Sequence, residues 1–145
     1  MGESEQFCSF LIGEYRCAVP MDHITEVLAP QHLTPVPAAP STVAGLLNLR
    51  GQILTVLDLR ASLLGVGRPP GGDPMVLVLE RGTQLFALLV DAIGDVVRAV
   101  SEELLPTPET IPLSFRKLTA AVIQQGDTIT LVLDAQHVAQ AGATA

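Results

Sequence analysis

The apolar residues of this chain fall into short runs separated by glycine, proline and acidic residues, a pattern typical of β-strands joined by turns. Residues 7–12 and 15–19 are two such runs, and Gly13-Glu14 lies between them. Glycine readily takes the positive φ angle that a two-residue hairpin loop needs. The chain is therefore predicted to open with a β-hairpin in which Cys17 lies opposite Phe10.

One strongly apolar segment returns near the C-terminus. Residues 45–60 read GLLNLRGQILTVLDLR, and their outline is repeated, one residue longer, in the run that ends at Asp134. In this alignment Gly126 takes the place of Gly51, and Asp134 follows its strand as Asp58 follows the first. A segment that recurs with the same outline indicates a duplicated structural unit.

A second pair of segments repeats in the same order, because residues 18–22 match residues 87–91. Glycine and proline crowd residues 65–74, which favours a linker over regular structure. We predict a single domain over residues 7–141. It consists of subdomain 7–66 and subdomain 75–141, joined by that linker.

Each half offers about five strand segments, enough for a small barrel but too few for a stable core of its own. We therefore predict an all-β fold with short helices, in which two SH3-sized barrels pack against each other. The helices are expected after Asp58 and Asp134, whose carboxylates suit N-caps, and Gly65 suits the end of the first helix.

Two segments leave alternatives open. Ile24, Val27 and Leu28 fit either one amphipathic helical turn or the start of a strand. Residues 29–40 contain four prolines, which exclude a helix or a central strand. That stretch is expected to be an extended surface connection or a strand at the rim of a barrel.

Charge and composition exclude several classes of partner. The net charge is −7 and the eight basic residues are scattered, whereas nucleic-acid binding depends on clustered Lys and Arg. No apolar run approaches the roughly 20 residues of a membrane-spanning helix, so direct membrane insertion is not expected. The polar and acidic first residues are unlike a secretory signal, and we expect a cytoplasmic protein.

The cysteines and histidines give little support to redox or metal chemistry. Cys8 and Cys17 are predicted to be only diagonal across the hairpin, farther apart than a relaxed disulfide allows, so two small buried residues are favoured over a redox pair. His23, His32 and His137 have no partner at metal-site spacing, and surface histidines are the simpler interpretation. No metal and no cofactor is expected.

The sequence also lacks the motifs of common enzyme classes. It contains no Gly-x-Ser-x-Gly elbow and no phosphate-binding glycine loop with a lysine. Asp22, Asp58, Asp91 and Asp134 could be read as catalytic carboxylates, but they occupy matched ends of elements in both halves. That placement favours caps and turns, and no catalytic residue is assigned.

The remaining candidates are features of a binding surface. Arg50 lies between an apolar strand and a glycine, so its planar guanidinium is expected to point outward from a bend, where an ordinary solvated arginine is the alternative. The apolar residues beside the turn aspartates could border a groove between the units, or belong to the core. They are Ile24, Val27, Val96 and Val97.

Residues 45–60 closely resemble the signature of the CheW chemotaxis coupling family, which also occurs as the regulatory domain of the CheA histidine kinase. The resemblance extends to Phe10-Leu-Ile-Gly13, Ala18-Val-Pro20, Leu33-Thr-Pro35 and the stretch from Leu89 to Val97. It covers about residues 7–138. It implies two SH3-like five-stranded β-barrel subdomains around a shared hydrophobic core.

The resemblance also implies a function. CheW proteins link the cytoplasmic tip of a methyl-accepting chemoreceptor to the regulatory domain of a CheA-type histidine kinase. The receptor-binding role carries over to Arg50 of the Asn-Leu-Arg-Gly motif, and to Ile24, Val27, Val96 and Val97. Structural roles fall to Asn48, Gly51, Asp58, Gly126 and Asp134.

The leading hypothesis is a non-enzymatic, cytoplasmic adaptor that holds a receptor and a kinase together in chemotaxis or a related two-component sensory pathway. One alternative is a small-molecule-binding β-barrel or a minor enzyme that uses the cleft between the barrels. The other is an inhibitory relative that binds only one of the two partners.

Overall fold

The structure is a computed structural model that describes residues 4–66 and 73–144. Within those ranges, no helix is both long and apolar enough to cross a membrane. The strands in chain order are β1 Glu5–Ile12, β2 Tyr15–Pro20, β3 Ile24–Leu28, β4 Val43–Leu49, β5 Gln52–Asp58, β6 Met75–Arg81, β7 Gln84–Val90, β8 Ala92–Ala99, β9 Leu104–Leu105, β10 Thr119–Gln125 and β11 Thr128–Leu133. The α-helices are α1 Leu59–Leu64, α2 Leu113–Arg116 and α3 Ala135–Thr144.

These strands form two mixed sheets. The five-stranded sheet has the order β3-β6-β7-β5-β4, and the six-stranded sheet has the order β8-β1-β2-β11-β10-β9. Each sheet contains one parallel junction, with Val56 beside Ala87 in the first and Val132 beside Ala18 in the second. All other pairs are antiparallel.

The duplication predicted from the sequence appears directly in this topology. If β1, β2, β3, β4 and β5 are matched to β6, β7, β8, β10 and β11, the two sheets have the same strand order, and β9 is an addition to the second. Helices α1 and α3 also correspond, because each follows the last strand of its half. The predicted β-rich fold with short helices is confirmed.

The division at residues 65–74 does not separate the two sheets, so the predicted subdomains 7–66 and 75–141 each contribute strands to both of them. The first half supplies β1 and β2 to the six-stranded sheet, and the second half supplies β6 and β7 to the five-stranded sheet. Each half thus exchanges a hairpin with the other. Residues 67–72 of the predicted linker lie outside the described residues.

Three apolar clusters follow from this exchange. One cluster lies between the sheets and contains Phe10 and Cys17 of one sheet with Leu77 and Leu88 of the other. A second cluster packs on the remaining face of the five-stranded sheet, and a third on the remaining face of the six-stranded sheet. Strands β6 and β7 are buried on both faces, which explains their nearly unbroken apolar sequence.

Neither sheet closes into a hydrogen-bonded barrel among the described strands. In the five-stranded sheet, β3 and β4 are opposite edges. Arg50, at the end of β4, nevertheless forms an ion pair with Glu26 on β3. The two edges of the five-stranded sheet therefore approach each other through side chains, and the two-sheet arrangement agrees with the predicted pair of β-subdomains.

Several local predictions are confirmed. In the first hairpin Cys17 pairs with Phe10, and Cys8 pairs with Val19. Asp58 caps α1 by accepting hydrogen bonds from the backbone N–H groups of the first turn, and α1 ends at Gly65 with a left-handed φ of 71°. Asp134 caps α3 through its Oδ1, which accepts a 3.0 Å bond from the N–H of His137.

The two open segments are also resolved. Ile24–Leu28 forms a strand, which a short 3-10 turn over Met21–His23 precedes. The proline-rich connection is largely irregular, and only Thr34 pairs with a strand, through two backbone hydrogen bonds to Leu46. Both earlier alternatives for this connection are therefore partly correct.

Candidate functional site

Arg50 and Gly51 form the two-residue turn between β4 and β5, because Leu49 pairs with Gln52 on either side of them. Both turn residues have positive φ angles, 53° for Arg50 and 87° for Gly51. Asn48 supports the turn, since its Oδ1 accepts a 2.9 Å hydrogen bond from the N–H of Gly51. This geometry is that of a type I′ hairpin, which usually carries Asn-Gly rather than Arg-Gly.

The equivalent turn in the other sheet corrects the sequence alignment. Gln125 pairs with Thr128, so Gly126 is the first turn residue and occupies the position of Arg50, not that of Gly51. Gly126 takes its φ of 63° without steric cost. Arg50 holds a similar angle at a cost of about 1–2 kcal/mol for a residue with a side chain. Such strain is concentrated at functional positions.

The side chain of Arg50 is 69% exposed and contacts the edge of the sheet. Its Nη2 donates to Oε1 of Glu26, which lies on β3. The guanidinium has further N–H groups to offer, because arginine carries five donors in a planar fork. We name Arg50, Glu26 and the exposed Val27 the β3 patch.

The apolar candidates fall into different environments. Ile24 is half-buried against the cluster between the sheets, and Val96 is exposed on β8. Val97 is only 5% exposed and packs in the cluster of the six-stranded sheet, so its expected place on a binding surface is corrected to the core. The reason is the alternation of strand side chains, which points neighbours to opposite faces.

A second polar contact was missed in the sequence. Oδ2 of Asp91 accepts 2.7 Å hydrogen bonds from the backbone N–H of Gly13 and from Nη1 of Arg60. Asp91 lies between β7 and β8, Gly13 lies in the turn between β1 and β2, and Arg60 is on α1. We name this contact the clasp, because it ties the first hairpin of one sheet to a helix that follows the other. No local motif marks such a long-range pair.

The thiols lie in an environment that disfavours redox chemistry. Cys8 and Cys17 are buried and not joined by a disulfide. Burial raises the pKa of the Cys17 thiol to about 12 and also raises the pKa of Cys8. The reactive thiolate is therefore scarce at neutral pH. Within residues 4–66 and 73–144, no three His, Cys, Asp or Glu side chains converge as metal ligands would.

Comparison with proteins of known structure supports the fold. The crystal structure of the scaffolding protein TtCheW from Thermoanaerobacter tengcongensis superposes with a TM-score of 0.82 at 21% sequence identity, over 95% of this chain and 89% of that chain. The arrangement of two sheets described above is therefore shared with a solved structure.

Sequence comparison gives relatives of similar length. The chemotaxis protein CheW of Helicobacter pylori is 28% identical over 133 residues, which cover 92% of this chain and 80% of that protein. The protein FrzA of Myxococcus xanthus is 33% identical over 106 residues, covering 73% and 66%. The family model described as "CheW-like domain" matches residues 6–143. The chain belongs to the CheW-like domain family.

Proposed function

We propose that this protein is a non-enzymatic, cytoplasmic coupling protein that binds a chemoreceptor tip and the regulatory domain of a CheA-type histidine kinase. The observation that carries the proposal is the family match over residues 6–143, nearly the whole chain. Relatives named as chemotaxis proteins and a solved scaffolding protein support the same assignment.

The mechanism of such an adaptor is geometric. When one protein binds two partners at once, the second partner is held at a high effective concentration, so that modest contacts suffice for a stable assembly. A rigid platform is needed to fix their orientation. The exchanged hairpins and the cluster between the sheets supply that rigidity here.

The β3 patch is the proposed centre of receptor binding, together with Ile24 and Val96. Arg50 offers a planar donor fork to a carboxylate, and Val27 and Val96 offer exposed apolar contacts. Glu26 holds the guanidinium in the free protein and thereby fixes where it points. Val97 contributes by supporting β8 from the core.

Replacing Arg50 with glutamate is expected to weaken receptor binding by about 1–3 kcal/mol, because the reversed charge repels both Glu26 and an acidic partner. Thermal unfolding should change little, since the side chain is exposed. Isothermal titration of the purified variant with the receptor tip domain, beside a thermal melt, measures both quantities.

Two further variants sharpen this result. Arg50→Gly removes the guanidinium and suits the positive φ angle, so it should keep the fold and still lose affinity. Lys117→Glu reverses another exposed charge and should leave binding unchanged. Undiminished affinity in Arg50→Glu, or an equal loss in Lys117→Glu, would refute the role of Arg50.

The identity of the partners can be tested directly. We expect a pull-down from cell extract, read by mass spectrometry, to recover both a chemoreceptor and a CheA-type kinase. Recovery of only one of them would favour the inhibitory relative, and recovery of neither would remove the coupling function.

A further inference from the structure

An open cleft of about 560 Å³ lies beside the five-stranded sheet. Strands β5 and β7, the turn that precedes β7, the end of the proline-rich connection and helix α3 surround it. Its floor includes Leu57 and Phe86, and Thr55, Gln84 and Ala139 line its sides. None of the described residues that line it is charged. A cleft of this size and character suits an apolar group with a few polar anchors.

Because the fold is duplicated, a position equivalent to this cleft lies beside the six-stranded sheet, and a side chain occupies it. Phe115 on α2 is fully buried beside the six-stranded sheet. Its ring packs against the ring of Tyr15 on β2, with their centroids 4.1 Å apart. Helix α2 is anchored to α1, because Oγ of Ser114 donates a 2.7 Å hydrogen bond to the carbonyl oxygen of Leu63.

Backbone contacts show that the two places correspond. The N–H of Asp58 donates to the carbonyl of Thr42, and the N–H of Asp134 donates to the carbonyl of Leu118, both at 2.8 Å. Strand β4 follows Thr42, and β10 follows Leu118. Both strands begin with a matching bulge, between Val43 and Gly45 in β4 and between Thr119 and Ala121 in β10.

The residue three positions before each acceptor carbonyl is the one that could fill the corresponding place. Three residues before Leu118 stands Phe115, and three residues before Thr42 stands Ala39. The connection that leads to β4 has no Phe, Tyr or Trp between positions 29 and 42. The cleft beside the five-stranded sheet therefore lacks a counterpart of Phe115, the side chain that fills the matching place beside the six-stranded sheet.

The residues that line the open cleft are also smaller or more polar than their counterparts around Phe115. Pairing of Ala18 with Val132 and of Ala87 with Val56 puts Gln84 in the place of Tyr15 and Thr55 in the place of Leu131. Counting from the capping aspartates puts Ala139 in the place of Leu63. Smaller or more polar residues thus line the open place, which keeps it accessible.

We propose that this cleft binds an aromatic side chain that a partner protein presents on a short helical turn, as α2 presents Phe115. The filled copy defines the chemistry of the occupant, which is an aromatic ring packed against β7. The lining residues that the structure describes carry no charge, which matches an uncharged anchor. The site is separate from the β3 patch and does not depend on the proposed receptor contact.

A peptide copied from this chain provides the probe. A capped synthetic peptide with the sequence of residues 111–118, IPLSFRKL, is titrated into the intact ¹⁵N-labelled protein. We expect amide shifts at Thr83, Phe86 and Ala139, which line the cleft. The same peptide with alanine in place of phenylalanine should bind about tenfold or more weakly, because it loses the buried ring while it keeps its charge.

Three variants of the protein locate the binding. Thr55→Trp fills the cleft from an exposed strand position and should abolish the shifts, whereas Thr128→Trp, an exposed threonine of the other sheet, should not alter them. Ala139→Leu copies the leucine of the filled place and should also weaken binding. Thermal melts of each variant show whether it is folded.

Other outcomes overturn the proposal. They are an absence of shifts at millimolar peptide, shifts outside the cleft, or equal binding by the alanine peptide. Binding of N-acetylphenylalaninamide as tight as that of the peptide would instead indicate a site for a small aromatic molecule. Shifts of the cleft amides on dilution of the protein alone would indicate a second copy of the chain as the occupant.

Discussion

Replacing Leu54 with alanine is expected to lower the free energy of unfolding by about 2–5 kcal/mol, the usual cost of removing a buried leucine. Leu54 is fully buried in the cluster of the five-stranded sheet. Tyr15 lies in the six-stranded sheet and is the only tyrosine of a chain without tryptophan. Its fluorescence and far-ultraviolet circular dichroism should nevertheless report the same lowered transition.

The physical reason is the exchange of hairpins between the halves. Strands β6 and β7 pair with β3 and β5 and also bury their other face against the six-stranded sheet. Loss of the five-stranded sheet would expose the cluster between the sheets, so neither sheet can unfold alone without a large cost. A small domain has only about 5–15 kcal/mol of stability to lose.

The neighbouring residue gives a matched control. Ile53 is 59% exposed, and Ile53→Ala should change the stability by only about 0.5 kcal/mol. If Leu54→Ala shifted the circular dichroism transition but left the Tyr15 transition in place, the sheets would be independent. The shared platform proposed for receptor and kinase would then lose its basis.

The sequence predicted features that depend on neighbours in the chain. The register of the first hairpin followed from Gly13-Glu14, and the caps at Asp58 and Asp134 followed from side chains placed just before helices. The exposed turn at Arg50 followed from an arginine beside a glycine after an apolar strand. In each case the interacting residues are only a few positions apart, so the interaction can be predicted from the sequence.

The exchange between the halves was not predictable in the same way. Repeated segments show that two units exist, but not which sheet a strand joins. The sheet that a strand joins is determined at short connections such as Met21–His23, where the chain passes from β2 in one sheet to β3 in the other. Long-range polar pairs were missed for the same reason, since Glu26 and Arg50 are 24 residues apart and Arg60 and Asp91 are 31 apart.

The burial of Val97 illustrates a different limit. Val96 and Val97 are equally apolar, and both were assigned to a binding surface. A strand sends neighbouring side chains to opposite faces, so only one of them could be exposed. Which one is exposed depends on how β8 pairs with β1, where Gly94 and Asp95 form a bulge opposite Ser9, and that register is set by tertiary pairing.

Replacing Asp91 with alanine is expected to lower the free energy of unfolding by about 2–3 kcal/mol, because it breaks the clasp and leaves a half-buried arginine without its carboxylate. The side chains of Arg60 and Asp91 are 20% and 21% exposed, so the cost is below that of a fully buried pair. The backbone N–H of Gly13 loses its acceptor in the same change. Urea unfolding followed by circular dichroism measures the loss.

The duplicated chain again supplies the control for the clasp. Asp22 is the counterpart of Asp91 in the sequence repeat but is exposed, so Asp22→Ala should change the stability by only about 0.5 kcal/mol. Asp91→Asn retains an acceptor for Gly13 and should cost less than Asp91→Ala. The double variant Arg60→Ala/Asp91→Ala should lose less stability than the two single variants lose together, because it leaves no unpaired charge. Strict additivity would show that the ion pair contributes nothing, and that the clasp does not hold the first hairpin of one sheet to the helix that follows the other.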